Sequence, residues 1–313
     1  MKAILKTLLR PFWLLLRPLI ACAFALLFVR IPGAIRSARL RNLLYDAHQG
    51  SGRLLVADGS DGTRFVIDPA DQVISKEIFV SGGFDREKLA QVTAWLAQHR
   101  VLTAGAATLY DIGANVGTVC IPAVSSGGFA RAVAVEADPH NARLLRTNVN
   151  LNGLEQRITV VEKAVSDTDG GQLLFERSAD NFGDHRVVSA QAGGLFAEAT
   201  REKFAVNCTT LDALIPAASA AGHLIWMDIQ GHEGQALAGA GAVLARRPPL
   251  VIEFWPYGLA RNGGLERFRQ ALLPYGEFID INSGTWQRRP LAELDALWQT
   301  LGTAGDFSDL LLY

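Results

Sequence analysis

Residues 108–117, TLYDIGANVG, decide the fold. Residues 108–113 read as a short strand, Asp111-Ile-Gly113-Ala-Asn115-Val-Gly117 as a sharp turn, and the run after it as the start of a helix. Glycines let a backbone turn tightly and let a ligand approach the main chain. The spacing departs from the G-x-G-x-x-G of nicotinamide-binding turns, because Asn115 stands where the middle glycine would be. An acid, Asp111, also lies at the strand end, where it suits a cationic amino group better than a pyrophosphate.

Strands and helices alternate outward from this turn. Residues 130–138 (ARAVAVEAD) and 157–167 (RITVVEKAVSD) read as further strands, and 139–153 as a helix with proline in its first turn. HLIWMDIQ (223–230) and PLVIEFW (249–255) are apolar on both faces, as buried parallel strands are. A helix from about Glu233 to Leu244 separates them, and DFSDLLLY (306–313) reads as a final strand. The alternation predicts a doubly wound, mostly parallel α/β sheet, with ligands beyond the carboxyl ends of its strands. Upstream, 53–57 and 64–68 flank the turn-rich DGSDG and predict a hairpin, and 85–99 predicts a helix with Leu89, Val92 and Leu96 on one face. The expected divisions are a tail (1–45), a hairpin and helix extension (46–105) and the main domain (106–313).

The strand ends suggest the ligand. Glu136 closes the second strand, where a carboxylate accepts both hydroxyls of an adenosine ribose. Ser166 and Asp167 close the third, within reach of an adenine edge. Adenosine with an amino acid attached is S-adenosylmethionine. The competing classes are a nucleotide-cofactor oxidoreductase or epimerase, against which Asn115 speaks, and a non-catalytic membrane-tethered cofactor-binding scaffold.

DIGANVGT, AVAVEADP, LRTNVNLNG, TLDAL (210–214) and MDIQGHEGQALAGA (227–240), in this order, resemble the FkbM-type S-adenosylmethionine-dependent methyltransferases, of the class I Rossmann-like group. The resemblance covers about residues 50–260, with D-I-Q-G-x-E where that family often has D-x-E-G-x-E. It implies a seven-stranded sheet and O-methylation of a hydroxyl on a glycan, glycolipid or secondary metabolite. It also implies that Gly113, Asn115 and Gly117 cradle the methionine part, that Glu136 holds the ribose and that Asp167 faces adenine.

Methyl transfer from a sulfonium is an in-line displacement that needs alignment and, for a hydroxyl, a base. Asp228, at the end of a central strand, is the first candidate base, and is equally suited to grip the cofactor's amino group. His232 beside it and His185 in the polar stretch 178–188 (SADNFGDHRVV) are further base candidates. Asn181 and Asp184 in that stretch, Glu233, Glu253 at a strand end, and Trp255 and Tyr257 after it are candidate acceptor contacts. No ligand spacing supports a metal. Cys120 and Cys208 read as small buried fillers.

Charge divides the chain. Residues 1–45 carry eight Lys and Arg and no acid, while the other 22 basic residues face all 31 acids, a balance of −9. That body makes a general nucleic-acid binder unexpected. Residues 11–29 are apolar but broken by Arg17 and Pro18, so the first expectation for residues 1–41 is contact with an anionic inner leaflet, ahead of a helix packed on the body and of a true span or signal. Three scattered cysteines fit a reduced, cytoplasmic setting, with the chain peripheral on the inner membrane face.

Overall fold

The computed structural model describes residues 37–191, 193–216 and 222–313. The apolar run 11–29, and the leaflet contact expected of it, lie outside the described residues. Among the described residues no helix is long and apolar enough to cross a membrane.

The extension consists of α1 (Ala38–Asp46), the strands β1 (Leu55–Asp58) and β2 (Arg64–Ile67), α2 (Ile74–Ser81) and α3 (Arg86–Gln98). The main body follows as β3 (Thr108–Ile112), α4 (Cys120–Ser125), β4 (Arg131–Glu136), α5 (Pro139–Leu151) and β5 (Ile158–Glu162). The strands β6 (Ala164–Val165), β7 (Gln172–Arg177), β8 (Arg186–Val187) and β9 (Glu202–Thr209) come next. They lead to α6 (Leu211–Leu214), β10 (His223–Met227), α7 (Glu233–Ala238), α8 (Gly241–Leu244) and β11 (Leu250–Phe254). The chain continues through α9 (Pro256–Arg261), α10 (Leu265–Leu272), β12 (Glu277–Asp280), β13 (Arg288–Pro290), α11 (Leu294–Leu301) and β14 (Ser308–Leu312).

The main sheet has the order β13-β12-β14-β11-β10-β3-β4-β5. The five strands from β11 to β5 are parallel, as their two-sided apolar character predicts. The sheet as a whole is mixed and has eight strands, not the expected seven mostly parallel ones: β14 pairs antiparallel with both β11 and β12, and β13 adds a hairpin strand on β12. The insertion after β5 folds into a second sheet, β6-β9-β7-β8. Residues 157–167 therefore divide between two sheets. The single helix expected over 233–244 breaks at Gly239, the C-cap of α7.

The hairpin is held by asparagines. A two-stranded hairpin is marginal alone. Here Asn148 and Asn152, one turn apart on α5, act toward β2 as a neighbouring strand would. Asn148 accepts from Val66 N at 2.6 Å and donates to Val66 O, while Asn152 accepts from Arg64 N and donates to Arg64 O at 2.7 Å. Asn148 also donates to Val116 O, tying the hairpin to the glycine turn. Phe65, Ile78 and Leu96 of the extension share one apolar core with Ile121 and Leu145 of the main body. The boundary expected after residue 45 falls inside α1, where the buried Tyr45 donates to the carbonyls of Asp68 and Asp71.

Candidate active site

The strand order reverses between β3 and β10, and a crevice opens beyond their carboxyl ends, as it does in open α/β sheets. The turn after β3 forms its rim. Gly113 has φ 90°, and a Cβ there would overlap the carbonyl oxygen of Asp228, so only glycine lets the turn lie against the end of β10. The N–H groups of Gly113 and Ala114 both donate to Val135 O on β4. Asn115 takes φ 50°, a conformation asparagine tolerates better than most residues. Its amide donates to Phe182 O rather than into the crevice. Gly117 lies away from the crevice, where a Cβ would press on Ile121 and Leu145, so this glycine serves helix packing, not the cradle inferred for it.

The cleft is lined by the turn after β3, the ends of β4 and β10, and strands of the second sheet. Its walls carry acids at one end and apolar groups at the other. Asp85, Asp111 and Asp228 gather on the glycine-turn side, Glu136 lies in the middle, and Ala164, Val165, Phe175 and Val187 line the far side.

Asp111 and Glu136 are buried, Asp228 is partly buried and Asp85 is exposed. Glu136 accepts from Asn115 N and Asp138 N, both at 2.8 Å, so each carboxylate oxygen is fixed. Burial pushes it up to about 8 against the pull of those N–H groups. Asp111 accepts from Cys120 N at 3.0 Å, and burial raises it to about 7. Asp228 is raised to about 6, again by burial, with the Gln230 amide at 2.6 Å opposing.

Both histidines line the cleft, and burial lowers both to about 4, so both are neutral. His185 Nδ1 accepts from Ser178 N at 3.1 Å, which leaves the ring proton on Nε2. His185 thus offers the cleft a donor, not the base expected of it. His232 Nε2 lies 2.9 Å from Ser166 Oγ, while its Nδ1 is buried without a partner.

Several expected contacts lie off the cleft. Asp167 is exposed and paired with Arg267 at 2.6 Å, so it does not face the position inferred for adenine. Asp184 is enclosed by Arg186 at 2.9 Å and by Arg201. Asn181 caps its own loop by accepting from Gly183 N. Tyr257 donates to Glu198 at 2.6 Å, and Trp255 donates to Gly305 O. Each of these side chains is spent on structure: Asn181, Asp184 and Tyr257 around the second sheet and its connection, Asp167 on α10 and Trp255 on the loop before β14. The stretch 178–185 is anchored rather than free: Phe182 O accepts from Asn115 and Asn141, and Phe182 N donates to Asp71. That anchoring puts Phe182, Gly183 and His185 on the cleft wall.

Glu233 and Glu253 lie behind Asp228. One carboxylate oxygen from each of the three falls within 4.8 Å of the others. Glu233 Oε1 accepts from Ile229 N and Gly231 N, as suits an acid at a helix start. Burial lifts Glu233 to about 8 and holds Glu253 well above the usual carboxylate range, with Asp228 adding to both. Lys88 approaches from α3, bonded to Asp85 at 2.8 Å and Asp309 at 2.6 Å. Asp85 and Lys163 on the cleft, and Lys88 and Asp309 behind it, carry no sequence signal that separates them from surface charges.

A family model for the methyltransferase FkbM domain matches residues 111–273, just over half the chain, and begins at the acid of the glycine turn. The chain belongs to the FkbM methyltransferase family. As a member it is a methyltransferase of the class whose methyl donor is S-adenosylmethionine, which sets aside the oxidoreductase and epimerase readings. Among solved structures, this FkbM chain is similar to methyltransferase FkbM from Methylobacillus flagellatus KT, at 16% identity over 78% of this chain and 66% of that one, with TM-score 0.41. It is also similar to the tRNA methyltransferase TrmK of B. subtilis, at 12% identity over 72% and 64%, with TM-score 0.38. A third is TYW2 of P. horikoshii in complex with MeSAdo, at 13% identity over 83% and 69%, with TM-score 0.38. The chain thus spans about two thirds of each of these structures. No curated protein matches it.

Proposed function

We propose that this FkbM methyltransferase transfers a methyl group from S-adenosylmethionine to a hydroxyl of a glycan, glycolipid or secondary metabolite. The observation that carries the reading is Glu136, with both oxygens fixed by backbone N–H groups at the end of β4 and facing the cleft. A desolvated carboxylate in that position is matched by two adjacent ribose hydroxyls.

The other cleft residues fit the remaining parts of the same molecule. Asp111 and Asp85 suit its cationic amino end. Ala164 and Val165 suit a flat apolar face, and the unpartnered His232 Nδ1 beside them suits the exocyclic N–H of adenine. His232 thereby takes the part inferred for Asp167. When bound, S-adenosylmethionine supplies an electrophilic methyl on a sulfonium. Asp228 would accept the hydroxyl proton of the acceptor, with one oxygen steadied by Gln230, or would share the grip on the amino end. Neutral His185 would donate from Nε2 to an acceptor oxygen.

A net charge of −9 over residues 46–313 favours these acceptors over a nucleic acid. The eight basic residues within 1–41 favour a lipid-linked acceptor reached from the inner leaflet, with the chain peripheral in the cytoplasm.

Calorimetry with S-adenosylhomocysteine tests the cofactor site. The folded chain is expected to bind it, and Glu136→Ala to lose binding. No binding, or unchanged binding in the variant, would overturn the reading. Comparing glycolipid and metabolite masses with and without the gene tests the acceptor, through loss of one methyl. Absence of turnover with every acceptor despite cofactor binding would favour the scaffold. Fractionation with and without residues 1–41 tests the leaflet contact.

A further inference from the structure

We propose that Asp228, Glu233 and Glu253, with the amide of Gln230, form a site for one hard divalent cation at the floor of the cleft. The acids come from the loop after β10, the start of α7 and β11, and bring an oxygen each within 4.8 Å of one another. Proximity of acids alone would not make a site. The second observation is Glu233: the residue is wholly buried, its Oε1 is used by two backbone N–H groups, and its Oε2 has no partner. A buried carboxylate oxygen left unpaired costs free energy that a cation would recover.

Gln230 supports the same assignment. Its side chain lies between the acids, with Nε2 2.6 Å from Asp228 Oδ1 and 3.2 Å from a Glu253 oxygen. Half a turn of that amide exchanges nitrogen for oxygen and adds a neutral ligand to the three carboxylates. Three carboxylates and an amide carbonyl form an all-oxygen set, the chemistry of Mg²⁺, Mn²⁺ and Ca²⁺ rather than of softer metals. Lys88 is engaged with Asp85 and Asp309 and does not neutralise the three acids directly.

Asp228 and Gln230 line the cleft while Glu233 and Glu253 do not, so open coordination positions would face the cleft. An acceptor with two adjacent oxygens could take them; that consequence, unlike the site itself, rests on the methyltransferase reading.

The test is a Mn²⁺ titration of the chelator-treated full-length chain, with free Mn²⁺ read by electron paramagnetic resonance. The site predicts one Mn²⁺ per chain, displaced by Mg²⁺. Glu233→Gln and Glu253→Gln should each weaken binding at least about tenfold, the lower end of losses for second-sphere changes. Gln230→Glu adds a carboxylate of the same shape and should tighten binding of the cation, and urea unfolding of each metal-free variant separates loss of the site from loss of the fold. No saturable binding by the parent chain overturns the site, as does unchanged affinity across the folded variants. S-adenosylhomocysteine calorimetry on the same metal-free sample separates the two readings. Cofactor binding without Mn²⁺ binding removes the cation site and leaves the cofactor assignment standing.

Discussion

Asp228 and His185 are both titratable residues beside strands of the same cleft, and what their remaining atoms touch separates them. His185 spends Nδ1 on Ser178 N and keeps its proton on Nε2, whereas Asp228 has one oxygen held by Gln230. If Asp228 is the base, Asp228→Asn should lower kcat about 10²–10⁴-fold with a smaller effect on cofactor affinity. Equal losses would assign it to cofactor binding instead. The base works ionised, and burial places Asp228 at about 6. With any divalent cation removed by a chelator, the parent enzyme should therefore lose kcat as pH falls through about 6 and level off above it, a limb missing from the residual rate of Asp228→Asn. His185→Gln keeps a donor and should retain most of the turnover. Glu136→Gln should weaken S-adenosylhomocysteine roughly 10–100-fold, the worth of hydrogen bonds to a charged group, as read by calorimetry. Strand-end acids such as Glu136 and Asp228 were legible in sequence because a strand end fixes position. Asp167 stands two residues past the end of β6, where it reaches Arg267 rather than the cleft.

The asparagines of α5 show what an element can hide. The run LRTNVNLNG reads as a polar helix end, yet Asn148 and Asn152 complete the hydrogen bonding of β2 across more than 80 positions of chain. Asn148 is fully buried and serves Val66 N, Val66 O and Val116 O. Asn148→Leu should therefore cost about 2–3 kcal/mol in urea unfolding, since it strands buried backbone groups. The more exposed Asn152→Ala should cost less. The parallel strands were legible from their two-sided apolar runs, and α3 from Leu89, Val92 and Leu96, all of which are buried. The second sheet was not. Two of its strands, β6 and β8, have only two residues each, β6 follows β5 almost directly, and its pairings join residues far apart in sequence, so no local period marks it.

Over the whole molecule, buried acids couple folding to pH. Asp111, Glu136 and Glu233 rise to about 7, 8 and 8 from their ordinary 3.8, 4.5 and 4.5, so the folded chain keeps protons that the unfolded chain releases. Their contribution falls as pH rises toward 8. The lowered histidines act oppositely, but only below their unfolded value of 6.5. Between about pH 6.5 and 8 the ligand-free chain should therefore lose stability, on the order of a few kcal/mol, seen as a falling urea midpoint. S-adenosylmethionine, with its two positive charges, should flatten that slope. The order of the main sheet has a consequence for synthesis as well. Strand β14 lies between β11 and β12, both made before it, so neither can complete its pairing until residues 308–312 exist. A nascent chain that has finished β12 still holds apart two strands with exposed, bondable edges, the condition that invites wrong partners. The buried Leu310–Leu312 thus act as a latch between β11 and β12, and Asp309 beside them gives Lys88 a second counter-charge beyond Asp85.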